Sequence, residues 1–152
     1  MAAPDTVFAL ANGAALAGWI ALAASPPQAR WAPWAALVAG RVLPAVFAIA
    51  YVALLLGAPS APGGGFGSIA EVRALFALDA LLAAGWLHYL AFDLFVGAWI
   101  ARRAGELALP WLAVLPTLAL TFLFGPAGLL AFLALRAVLR PASLRLVTGV
   151  RP

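Results

Sequence analysis

Between Glu71 and Arg103 the interior of a long apolar run carries Asp79, His88 and Asp93. Carboxylates and imidazoles move protons near neutral pH, so chemistry here would be general acid–base catalysis. About 20 apolar residues cross the hydrocarbon core of a bilayer, and this stretch is long enough to do so. Ionisable residues inside such a span are costly and face a bundle interior or a water-filled cavity. Asp93 is the deepest of them. A carboxylate at that depth is either paired or protonated, and both states suit a proton donor or acceptor.

Helical geometry limits how these groups cooperate. Asp79, Trp86 and Asp93 share one face, because seven residues drift only about 20° on a helix. Asp79 and Asp93 then stand roughly 21 Å apart along the axis, too far to act on one reacting centre. His88 lies about 140° around the helix from Asp93 and roughly 7–8 Å along it. The two could flank a bulky ring between helices without bonding each other. Each residue also has a structural reading: Asp79 as an interfacial carboxylate paired with an arginine, Trp86 and Tyr89 as aromatic packing, His88 as a neutral imidazole bonded to a carbonyl. Two residues from other spans join the candidates for contacting a substrate. Asn12 either bonds a neighbouring helix or orients a ligand. Arg41 either snorkels to the interface or turns inward to meet a carboxylate of the third span.

Composition sets the class that must position them. Of 152 residues, 66% are hydrophobic and 9% are charged, with a mean hydropathy of +1.08. Soluble domains carry about 25% charged residues, so an integral membrane protein is expected. The net charge of +4 comes from nine arginines, with no lysine. Arg136, Arg140, Arg145 and Arg151 gather near the C-terminus, where they suit anionic headgroups rather than nucleic acid. The chain has no cysteine and one histidine. That excludes disulfides, iron–sulfur clusters and thiol catalysis, and argues against histidine-rich metal sites. We expect no metal and no cofactor.

The apolar runs predict an all-α integral membrane protein with one domain: four transmembrane helices in an antiparallel bundle. The spans fall at about 6–24, 33–56, 72–100 and 109–139, followed by a basic tail over 140–152. Ser25-Pro26-Pro27 ends the first span. Trp31 and Trp34 read as interface anchors. The Gly-rich stretch from Gly57 to Ser68 is a flexible turn, with a re-entrant lid around Phe66 as the alternative. Gly125-Pro126-Ala127-Gly128 is expected to kink the fourth span. Four spans place both termini on one side, and the positive-inside rule makes that side cytoplasmic, in a bacterial inner membrane.

Several of these residues also carry a family resemblance. Phe8-x-x-x-Asn12, Trp19, Gly64-Gly65-Phe66-Gly67-Ser68, Val72-Arg73-Ala74-Leu75-Phe76, Trp86-x-His88-Tyr89-Leu90-x-x-Asp93-Leu94-Phe95 and Phe124-Gly125-Pro126-x-Gly128-Leu129 together resemble the abscisic-acid-deficient-four-like family. The Trp-x-His to Asp-Leu-Phe block is the most specific part. Plant members are plastid membrane proteins needed to make neoxanthin from violaxanthin; bacterial members are mostly a domain of unknown function. The resemblance implies an isomerisation without net redox change, in which an epoxide opens while a neighbouring chain proton is lost. Such a step needs an acid at oxygen and a base at carbon. The expectation is therefore a membrane-embedded enzyme acting on a carotenoid or related isoprenoid lipid, with Asp93 as acid and His88 as base. Asn12, Arg41, Asp79, Trp86 and Tyr89 would contact the substrate. The alternative is a non-catalytic protein that binds a pigment or lipid, or assembles with an enzyme. Its partners would be the lipid and the bilayer, with a homo-oligomer left open.

Overall fold

A computed structural model describes residues 3–139, and every regular element in that range is helical. α1 spans Pro4–Ala23, α2 Ala32–Leu37, α3 Leu43–Gly57, α4 Ile69–Leu75, α5 Asp79–Glu106, α6 Trp111–Phe124 and α7 Pro126–Leu139; a π-helical turn, Val38–Val42, joins α2 to α3. The basic tail, with Arg140, Arg145 and Arg151, lies outside the described residues.

Among the described residues, three helical runs are long and apolar enough to cross a membrane: Pro4–Ala23, Ala32–Gly57 and Asp79–Glu106. Half of the central window of α5 is buried, against 28% and 22% for the other two, so α5 is the axis of the bundle. Its small residues let neighbours approach. A Cβ on Gly97 would run into the Trp19 ring of α1, and one on Gly40 would meet Ala98 at 2.7 Å. The outer faces stay apolar, with Leu10, Ile49, Leu56, Leu112 and Val138 widely exposed. That surface suits lipid, since so large an apolar exterior is foreign to soluble monomers.

Local sequence accounts for the breaks. Pro4 opens α1 without losing a bond, and Ser25-Pro26-Pro27 closes it. The orphan carbonyls at its end are taken up by side chains: Ser25 Oγ donates to Ala21 O at 2.6 Å, Trp111 Nε1 to Ala23 O at 3.1 Å and Trp31 Nε1 to Ala24 O at 3.3 Å. Pro44 has no N–H for the Gly40 carbonyl and its ring crowds that turn, so the helix widens into the π-turn over Val38–Val42.

The third expected span divides in two. Ser68 caps α4 by accepting from Glu71 N–H at 3.2 Å, while Gly67 N–H donates to the Glu71 carboxylate at 2.9 Å. This is close to a capping box, and α4 is a separate short helix before Phe76-Ala77-Leu78. The preceding loop is no lid: Phe66 is 87% exposed.

The fourth expected span is not a span. α6 and α7 have 14 residues each, about 21 Å of helix against a hydrocarbon core of about 30 Å. They are not stacked end to end either. A Cβ on Gly128 would strike the backbone of Thr121, seven residues earlier, a separation of about 10 Å in a continuous helix. The chain therefore reverses at Gly125, whose φ of 22° and ψ of −83° leave the helical region. Three contacts give the course of the hairpin. Tyr89 bonds the end of α6, Gly125 abuts Asp93 midway along α5, and Phe132 packs edge-on to Trp99 at 5.6 Å. So α6 runs from the Glu106 end of α5 to its middle, and α7 returns to the same end. The all-α expectation holds, but the described residues show three helices long and apolar enough to span and a helical hairpin, and a four-span bundle is not confirmed. Ala3 and Leu139 accordingly lie at opposite ends.

Candidate functional site

The hairpin tip meets α1 and α5 halfway through the bundle. From α1, Asn12 donates through Nδ2 to Phe8 O at 2.9 Å, which turns Oδ1 outward to accept Trp86 Nε1 at 3.0 Å. Trp86 stacks with a tilt between Phe8, at 5.5 Å, and Tyr89, at 5.3 Å. The Tyr89 hydroxyl donates to the two carbonyls at the end of α6, Phe122 O at 3.3 Å and Leu123 O at 3.2 Å. One turn further along α5 comes Asp93, 9% exposed, with Oδ2 buried and lacking a hydrogen-bond partner. Gly125 is forced by this carboxylate as well as by its backbone: a Cβ there would collide with Asp93 Oδ1.

The electrostatics follow from breaking a helix inside the bundle. The last carbonyls of α6 are a partial negative pole and receive the Tyr89 hydroxyl; the first turn of α7 is a partial positive pole and lies beside Asp93. Half-helices that end inside a membrane protein serve as polar sites in this way.

Of the residues expected to form the site, Asn12, Trp86, Tyr89 and Asp93 come together in one line. The other three do not. His88 is exposed on a different face of α5, stacked on Phe92 at 4.6 Å and 6.0 Å from the Tyr51 ring. Asp79 is exposed at the first turn of α5, where a carboxylate complements the helix dipole; the arginine partner expected for it is absent among the described residues. Arg41 lines a groove at the opposite end with Arg102 and Glu106, away from both aspartates. The sequence reading expected a kink at Gly125-Pro126, but not that the chain reverses there, nor that Gly125 and the carbonyls of Phe122 and Leu123 belong to the site. The carbonyls leave no trace in residue types, but a glycine before proline, between two runs each too short to span, is a legible signal.

Residues 6–132 match the ABA DEFICIENT 4-like family, covering both α1 and the hairpin tip. The chain belongs to that family. The match takes in every member of the Asn12–Trp86–Tyr89–Asp93 line and the Gly125 break. Neither a curated protein nor a solved structure matches the chain.

Proposed function

We propose that this ABA DEFICIENT 4-like protein is a membrane enzyme that carries out acid–base isomerisation of a carotenoid or related isoprenoid lipid at the hairpin tip. The observation that carries the reading is the buried, unpartnered Oδ2 of Asp93 at the middle of a spanning helix. Family membership and the apolar helices fit a membrane protein linked to carotenoid metabolism. Because the hairpin stops midway, the part of α5 between Asp79 and Tyr89 has no hairpin beside it. There Phe8 and Trp86, stacked beside the Asn12–Trp86 bond, are 41% and 39% exposed. A polyene lying in the bilayer can fill that space sideways and bring one end to Asp93 without crossing water.

In this reading the Asp93 carboxylate takes the proton lost from the chain carbon and returns it to the epoxide oxygen as that ring opens, Tyr89 holds the tip against α5, and Trp86 with Asn12 orients the end ring of the lipid. His88 stands outside the reaction, because its ring faces Phe92 and Tyr51. General acid–base groups contribute about 10²–10⁴-fold. Expression in bacterial strains that accumulate different carotenoids, followed by chromatography, tests the assignment. Asp93→Asn should lower product at least tenfold at equal protein level, and His88→Ala should retain most of it. Equal yields from wild type and Asp93→Asn would remove Asp93 from catalysis.

The same exposed rings favour a second reading, a pigment- or lipid-binding protein without turnover. Unaltered pigment retained by purified protein, and released by Trp86→Ala, would support it. In either case we place the chain in a bacterial inner membrane with its arginine-rich end in the cytoplasm. Arg30, Arg102, Arg103 and Arg136 lie at that end and Arg73 at the other. The N-terminus then lies outside, a departure from the shared cytoplasmic side expected for four spans.

A further inference from the structure

A second site lies at the arginine-rich end, away from Asp93. The end of α1, the α2 and π-turn segment and the last turns of α5 enclose a groove of about 630 Å³. Its upper wall is apolar, with Leu22, Ala36 and Leu37, and Trp34 stands at its rim. Two cations face it from separate elements, Arg41 on the π-turn and Arg102 on α5. Glu106 also lines it, but its carboxylate is engaged by Arg103 at 2.6 Å. Among the described residues that is the one ion pair, so neither Arg41 nor Arg102 has a carboxylate partner there.

The π-turn helps to make this groove. Pro44 forces it, and the close approach of Gly40 to Ala98 seats it on α5 just before Ala101 and Arg102. Trp31, Trp34 and Trp111 mark the same end as the headgroup level of the bilayer.

We propose that the groove binds a phosphate-bearing amphiphile: the phosphate between Arg41 and Arg102, the hydrocarbon chain along Trp34 and Leu37. Guanidinium groups match phosphate oxygens in planar pairs, and two of them from separate elements lining one groove suit one tetrahedral anion. The partly exposed Ala36 and Leu37, beside the exposed Trp34, suit an attached chain. The site is independent of the reading of Asp93.

Binding to the full-length protein in detergent, followed by native mass spectrometry, tests it with three probes: phosphatidylglycerol, phosphatidylcholine and inorganic phosphate. The expected result is saturable phosphatidylglycerol binding that weakens about tenfold in Arg41→Gln and in Arg102→Gln, the loss of one charge-assisted bond. Arg41→Lys should fall less than Arg41→Gln, and Arg73→Gln, at the other end, should bind as wild type does. Phosphatidylcholine, with its compensating cation, should bind more weakly. Equal phosphatidylglycerol affinity in wild type, Arg41→Gln and Arg102→Gln would overturn the proposal. So would an equal loss in Arg73→Gln, which would mean general charge. Inorganic phosphate that displaces the lipid at equal concentration would overturn the amphiphile and leave a free-phosphate site. Thermal midpoints of the variants separate loss of binding from loss of fold.

Discussion

Asp93 is buried among the helices, its Oδ2 has no hydrogen-bond partner, and no basic side chain pairs with it among the described residues. The first turn of α7 lies beside it, and the reversal at Gly125 leaves no room for a side chain that would push the two apart. Tyr89 makes the complementary contact with the end of α6, so two residues one turn apart hold both ends of the broken helix. The Asn12–Trp86 bond fixes α1 to the same region. Side-chain bonds between helices in membranes contribute about 0.6 to 2 kcal/mol. A double-mutant cycle of Asn12→Ala and Trp86→Phe, read from thermal unfolding in detergent, should return a coupling in that range. Additive effects would mean that the bond does not hold α1. Replacement of His88 by alanine should leave the midpoint nearly unchanged, since its ring is exposed and packs only on other rings.

At the scale of elements, the hairpin is the part that hydropathy could not show. The stretch from Leu109 to Leu139 is one apolar run, and composition is blind to the direction in which a chain travels. Only Gly125-Pro126 and Gly128 hint at the reversal. What they require is a close approach of α6 to α7, which is a tertiary fact. Other elements were legible for local reasons. Pro26-Pro27 ended α1, and Asn12, Trp86, Tyr89 and Asp93 stood out as polar groups in apolar runs, whereas the π-turn before Pro44 was not foreseen. The sequence also held the reason that His88 and Asp93 do not meet, because five residues along a helix point them to different sides. The Ser68-x-x-Glu71 pattern marks the start of α4, but its division from α5 at Phe76-Ala77-Leu78 carries no breaker residue and was hidden in an apolar run. Gly128 offers the test at this scale. A side chain there would meet the Thr121 backbone, and overpacking of a close contact costs about 1–3 kcal/mol. Gly128→Ala should lower the thermal midpoint, while Gly13→Ala, where a Cβ meets nothing within 4 Å, should not.

For the whole molecule, the hairpin changes which surfaces share a side of the membrane. It adds Arg136 to the end that already carries Arg30, Arg41, Arg102 and Arg103, leaves a lipid-open space above its tip, and makes both candidate sites part of one plan. The Asp93 site would take a lipid from the bilayer interior, and the Arg41 groove would hold an anionic headgroup at the cytoplasmic face. All of this depends on the chain turning back at Gly125. The most direct measurement uses the absence of native cysteine. Single substitutions Phe66→Cys, Ala108→Cys and Leu139→Cys would be labelled with a membrane-impermeant maleimide in right-side-out and inverted vesicles. We predict that Ala108→Cys and Leu139→Cys react in inverted vesicles and Phe66→Cys in right-side-out ones. Labelling of Leu139→Cys from the same side as Phe66→Cys would mean a fourth spanning helix, and would contradict the hairpin and the site built on its tip.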